Sequence, residues 1–211
     1  MEVCRLIKER TAALCRHLSG LPGVRSCRLA GSVAAGTFDA YSDIDLELDV
    51  SGLDNGVFAL ELPALLNRRY PVLYADYAPS LAPQKYVVTA ALFPDAPFLL
   101  ADLSCVAAPY CRTVSQAALA ARNTLVTHTL KVFTINLKHA LRGNDCRRDI
   151  ARMYARLTDG DTTHISSRDM LCETFRWLES RVNEPAAGLL CALARELPRA
   201  KLPGGAKVRD L

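Results

Sequence analysis

Apolar residues recur at helical spacing from about Glu2 to Leu18, where Val3, Leu6, Ile7, Ala13, Leu14 and Leu18 fall between charged positions, and Gly20 with Pro22-Gly23 closes the pattern. This predicts a first helix. The period then changes. Val24 to Leu29 reads as a short strand, and Asp43 to Val50 alternates strictly between polar and apolar residues, as a strand with one face in a core does. After a glycine-containing break, Val57 to Arg69 has helical character despite Pro63. Three β-rich runs follow at Val72 to Tyr77, Lys85 to Phe93 and Phe98 to Val106, separated by turns bearing Pro79, Pro83, Pro94 and Pro97. Beyond Pro109 strand patterning stops, and helices are predicted over about Ala117 to Leu141, Arg147 to Leu157, Arg168 to Arg181 and Ala186 to Leu197.

This order implies an α+β chain, with a mixed β-sheet flanked by helices and an all-helical C-terminal bundle after it. We expect a sheet domain over residues 1–110, a helical domain over 111–200 and a tail over 201–211, where Pro203-Gly204-Gly205 carries no periodicity. At 211 residues, half of them hydrophobic, the chain can bury a sizeable core. No run of roughly eighteen uncharged apolar residues occurs, and Glu2, Arg5, Lys8, Glu9 and Arg10 stand where a signal peptide would be apolar. A soluble, cytoplasmic protein with no membrane partner is the expectation.

Charge narrows the partners. The net charge of +4 comes mostly from the second half, through Lys131, Lys138, Arg142, Arg147, Arg148, Arg152 and Arg156. A polyanion binder would show a denser basic stripe with interleaved aromatics, so nucleic acid is not expected, whereas a modest basic face suits a nucleoside triphosphate. The eight cysteines are scattered, with no pair at the spacing of a zinc knuckle, and read as free thiols acting as small hydrophobes. Trp177, beside Phe175 and Leu178, reads as bundle core.

The candidate chemistry lies in the alternating strand. Asp43 and Asp45 stand at i and i+2, so they project from one face while Ile44 and Leu46 point into the core. Such a pair can bridge divalent cations. About ten residues earlier comes Gly31-Ser32, in which glycine lets backbone amides approach phosphate oxygens and Ser32 adds a hydroxyl, the more so if a helix starts there. Asp102, alone in the apolar run Phe98 to Ser104, is costly to bury without a partner, and a metal would supply one. Transfer of a nucleotidyl group uses two cations about 3.5–4 Å apart, and Asp102 beside them could also take the proton of the attacking hydroxyl. Glu47 and Asp49 continue the face of Asp43 and Asp45. They read either as a solvated strand face or as the acidic wall of an acceptor pocket for a cationic substrate such as an aminoglycoside.

Gly-Ser, about ten residues, then Asp-apolar-Asp-apolar resembles the signature of the DNA polymerase β-like nucleotidyltransferase superfamily, matched here by Gly31, Ser32, Asp43, Ile44, Asp45 and Leu46. The resemblance spans roughly residues 20 to 106, with Asp102 where the superfamily's third carboxylate belongs. The segment from Gly31 to Asp43 is most similar to the small bacterial antibiotic nucleotidyltransferases of the aminoglycoside and lincosamide type, which add a helical bundle to such a domain. Many relatives, the minimal nucleotidyltransferases above all, carry arginines where this chain has Val33 and Ala35.

The resemblance implies transfer of a nucleoside monophosphate, AMP first, from ATP or another NTP to a hydroxyl of a small-molecule acceptor, with an antibiotic among the candidates. Asp43, Asp45 and Asp102 would be the catalytic and metal-binding residues for two Mg²⁺ ions. Gly31, Ser32, Ser42 and Lys131 would bind the nucleotide. Lys131 sits in an apolar setting where a lysine favours an anion; the bland reading is that Lys131, Lys138 and Arg142 form the wet face of their helix. A homodimer is allowed. The alternatives are an antitoxin-like protein adenylyltransferase and an inactive nucleotide-binding module of the same fold. Arg122-Asn123 with His128 loosely matches a motif of the HEPN ribonucleases, but six residues do not align two side chains on one helix face.

Overall fold

A computed structural model describes residues 2–78, 80, 82–109, 113–158, 162 and 164–202. Cys111, Pro79 and the glycine-bearing tail lie outside the described residues. The chain divides into two compact units, Met1–Thr124 and Leu125–Leu211.

In the first unit α1 (Glu2–Ser19) leads to β1 (Ser26–Leu29), a one-turn helix α2 (Gly31–Ala35), β2 (Ile44–Asp49), α3 (Asn55–Leu66), β3 (Tyr74–Ala78), β4 (Lys85–Ala91), β5 (Leu100–Val106) and α4 (Gln116–Ala120). The five strands form one sheet in the order β1-β2-β5-β4-β3. β2 and β5 run parallel and every other pairing is antiparallel, so the sheet is mixed as the sequence pattern implies. A parallel pair needs a long crossover. Here α3, β3 and β4 supply it.

Alternation along the central strands separates two chemistries. On β2, Ile44, Leu46 and Leu48 are buried while Asp45, Glu47 and Asp49 are half-buried, and on β5 Ala101, Leu103 and Cys105 are buried while Asp102 and Ser104 are half-buried. The apolar side joins Ile7, Leu14 and Leu18 of α1 and Phe58, Leu62 and Leu66 of α3 in one core. Each such large side chain contributes roughly 1.5–3 kcal/mol on burial. With α1 and α3 committed to that face, the polar residues fall on the other.

The edge strand β3 is covered by a side chain. Asn123 accepts from the Tyr77 N–H at 2.8 Å and donates to the Tyr77 carbonyl at 2.9 Å, occupying backbone groups an edge would otherwise expose. The same residue explains a departure from the sequence pattern. One helix was expected over Ala117 to Leu141, but α4 ends at Ala120 and α5 (Leu125–Arg142) starts after a turn. The amides of Arg122 and Asn123 bond three residues back, to Leu119 and Ala120, while the Asn123 side chain is taken by Tyr77. Hydrophobic spacing alone does not register that break. Residues 113–124, α4 included, thus belong to the first unit.

The second unit is helical, with α5, α6 (Arg147–Thr158), α7 (Ser167–Glu179), α8 (Glu184–Ala194) and a 3₁₀ turn at Leu197–Arg199. Leu130, Phe133, Leu137, Ile150, Met153, Leu171, Leu178, Leu189 and Leu193 are buried in it. Ser166 and Asn183 cap α7 and α8. Trp177 is half-buried under the Arg181 guanidinium, 4.7 Å from its ring, not in the core as expected. Lys131 and Lys138 are buried, so they do not form a solvated helix face.

The cysteines among the described residues are free thiols. Cys15 and Cys27 pack α1 against β1 with their sulfurs 3.2 Å apart. Burial first, and contact with Cys15 second, push the Cys27 thiol up to about 12. No helix among the described residues is long and apolar enough to cross a membrane.

Candidate active site

Asp45 of β2 stands directly opposite Asp102 of β5 in the parallel ladder. Thr89 of β4 faces Asp102 from the other side, and Asp76 of β3 faces Thr89. Strands lie about 4.8 Å apart, so these four residues form a polar row across the sheet. The Thr89 hydroxyl donates to Asp102 Oδ1 at 2.5 Å. Asp43 lies just before β2, half-buried, two residues from Asp45. Among the described residues no three His, Cys, Asp or Glu side chains gather into a group that could hold a metal.

Gly31 is locked to this row. The last pair of the β1–β2 ladder is Leu29 with Leu46, after which the Ala30 N–H donates to the Asp45 carbonyl at 2.9 Å. That brings Gly31, at φ +62°, against the Asp45 side chain: a Cβ there would sit 1.8 Å from Asp45 Oδ2. Only glycine fits such an approach. Ser32 is half-buried in the first turn of α2, which closes on Gly36 in the left-handed conformation.

Ser42 holds the approach to β2. Its hydroxyl donates to Asp39 Oδ1 at 3.0 Å and accepts from the Asp39 N–H at 2.9 Å, which holds the turn that delivers the chain to β2. Lys131 lies in α5 of the second unit. Arg122 lies in the turn after α4, and His128 in α5 contacts Arg156 Nη1 at 2.8 Å.

Further along the face, beyond Asp45, a groove of about 320 Å³ is lined by Arg28, Glu47, Asp49, Ser51 and Gln84. Arg28 and Glu47 are cross-strand neighbours joined in an ion pair. Asp49 is held below the usual carboxylate range by hydrogen bonds from Ser51, with Arg25 and Arg28 adding to the effect. The wall is therefore charge-balanced rather than purely acidic. Arg25 and Arg28 offset part of the attraction for cations that the spacing of Glu47 and Asp49 implies.

The sequence reading missed Thr89, Asp76 and Arg28. The signal that singled out Asp102, a lone acid inside an apolar run, was equally present in Tyr74-Ala75-Asp76-Tyr77. Nothing in the local pattern distinguishes Thr89 from any other β-branched strand residue.

No family model and no curated protein match this chain. Among solved structures it is similar to the non-canonical poly(A) polymerase complex GLD-2–GLD-3, at 14% identity and a TM-score of 0.40 over 84% of this chain. It is also similar to the polymerase core of TRAMP, an RNA surveillance complex, at 12% identity and a TM-score of 0.38 over 90% of this chain. The chain spans about half of each of those proteins, 53% and 56%. Both are structures of polymerases. The expectation that nucleic acid is not a partner is corrected by these similarities, whose structures are of a poly(A) polymerase complex and of an RNA surveillance complex.

Proposed function

We propose that this chain is a nucleotidyltransferase of the polymerase β-like kind, moving AMP from ATP to a hydroxyl of a small-molecule acceptor. The observation that carries the reading is the in-register pair Asp45 and Asp102 with Gly31 packed against the Asp45 carboxylate. Their donor set suits Mg²⁺, which takes one or two carboxylates and completes its shell with water and phosphate oxygens. Asp43, Asp45 and Asp102 would hold two such ions, which when bound neutralise the triphosphate and its departing pyrophosphate.

The remaining chemistry belongs to the chain. The turn at Gly31 and Ser32 lies beside Asp45, where backbone and hydroxyl can meet phosphate oxygens. An acceptor in the groove at Glu47 and Asp49 would present its hydroxyl along the same sheet face. Asp102 takes the hydroxyl proton as the oxygen bonds to the α-phosphorus and the bond to pyrophosphate breaks. An antibiotic of the aminoglycoside type remains within this acceptor class, though Arg28 offsets the acidic wall.

Pyrophosphate release from Mg·ATP, measured against pools of small hydroxyl compounds, RNA 3′ ends and proteins, tests the proposal. We expect release with a small-molecule pool and a fall of ~10²-fold or more in Asp45→Asn and Asp102→Asn. Release only with RNA or protein would replace the acceptor class. Nucleotide binding without release in any pool would make the chain a binding module.

A further inference from the structure

We infer that Thr89 is a positioning residue for Asp102, fixing which carboxylate oxygen faces the cation and the acceptor hydroxyl. The inference rests on the nucleotidyltransferase reading and adds a residue that the superfamily signature does not contain. Thr89 and Asp102 are ladder partners on β4 and β5, and the contact between Thr89 Oγ1 and Asp102 Oδ1 is 2.5 Å. That is within the range of an O–H···O hydrogen bond, with the hydroxyl as donor.

Three properties make Thr89 suited to the task. It is 5% exposed, so its hydroxyl has little water to exchange with. Its Cβ is branched, which restricts χ1 and holds Oγ1 in place. It has one proton to give, and giving it to Oδ1 commits that oxygen. A carboxylate otherwise turns broadly about χ2. With Oδ1 engaged from the β4 side, Oδ2 would be the oxygen offered to a cation that Asp102 holds, with Asp45 its ladder partner on the β2 side. Thr89 thus converts a rotating carboxylate into a directed ligand.

The test compares Thr89→Val, which keeps the shape and removes the hydroxyl, with Thr89→Ser, which keeps the hydroxyl. Mn²⁺ binding in the presence of ATP is measured by paramagnetic resonance, alongside kcat, KM and Tm. Loss of a partner that orients a metal ligand typically costs 10–100-fold in metal affinity, so we expect Thr89→Val to weaken Mn²⁺ by at least about 10-fold. We expect kcat to fall with it, KM for the acceptor to hold, and Thr89→Ser to restore both to within about threefold. A merely structural hydroxyl would lower Tm while leaving Mn²⁺ affinity and kcat at the wild-type values, and that result overturns the inference. If Thr89→Val does not fold, Thr89→Ala is read in the same way against Thr89→Ser. A wild type that binds Mn²⁺·ATP but transfers nothing overturns the proposed activity alone, because the Mn²⁺ comparison still judges Thr89. A wild type that binds no Mn²⁺·ATP overturns both.

Discussion

At the scale of single residues, Gly31 and Gly36 form a natural experiment. Both have positive φ, +62° and +71°, so alanine at either pays a similar backbone penalty of roughly 1–2 kcal/mol. Their surroundings differ. A methyl on Gly36 meets nothing within 4 Å, whereas one on Gly31 lands 1.8 Å from Asp45 Oδ2. Gly36→Ala should therefore lose a little Tm and keep its activity. Gly31→Ala must displace the carboxylate or the turn, and should lose transfer by ~10²-fold, as the loss of Asp45 itself would. Turnover and melting curves of the two variants side by side check this; equal activity would remove Gly31 from the site. The sequence made Gly31 and the carboxylates legible because spacing along a strand determines which side chains share a face. It could not show that Gly31 touches Asp45, since that follows from the β1–β2 register, a long-range property. Nor could it show that the Ser42 hydroxyl bonds Asp39, because the partner of a serine before a strand depends on the turn that precedes it.

At the scale of elements, the start of α3 carries more than local pattern suggests. Asp54 caps it, accepting from the amides of Gly56 and Val57 at 2.9 Å, and it also accepts from the Thr113 N–H, far along the chain. Burial pushes the Asp54 carboxyl up, but the bonds from Val57, Thr113 and Gly56 outweigh it and leave the carboxyl below its usual value. A carboxylate lowered on folding stabilises the protein above its unfolded pKa, about 3.9, and loses that contribution as pH falls through the folded value. Asp54→Ala should cost about 1–2 kcal/mol at neutral pH. Asp54→Asn keeps the capping oxygen without titrating. Its stability relative to wild type should be constant from pH 5 to 7 and rise as pH falls below about 4. Urea unfolding across that range measures it, and a difference independent of pH would discard the assignment. The strands and long helices were legible because each buries one face at a regular period. The split of α4 from α5 was not, because Asn123 answers to β3, some forty-six positions away.

At the scale of the whole molecule, the chain is two units, and the row of Asp45, Asp102 and Thr89 lies in the first. This makes ligand-linked stability informative, because a ligand that binds only folded protein stabilises the unit that holds it. At a hundred times its Kd, Mg·ATP would add about 2.7 kcal/mol. In chains of about this size each kcal/mol moves Tm by roughly 2–4 °C, so the expected rise is about 5–10 °C. Two units need not melt together, and separate transitions can be told apart calorimetrically. The transition of the sheet unit should rise with Mg·ATP, and chelation of the metal should remove most of that rise. Asp45→Asn, measured against its own nucleotide-free transition, should lose most of the shift. A shift confined to the helical unit, or one unchanged by chelation and by Asp45→Asn, would place the nucleotide away from the row of Asp45, Asp102 and Thr89. The carboxylate row would then owe its register to sheet packing alone, and the resemblance of Gly31-Ser32 and Asp43-Ile44-Asp45 to a nucleotidyltransferase signature would mark a fold rather than a reaction.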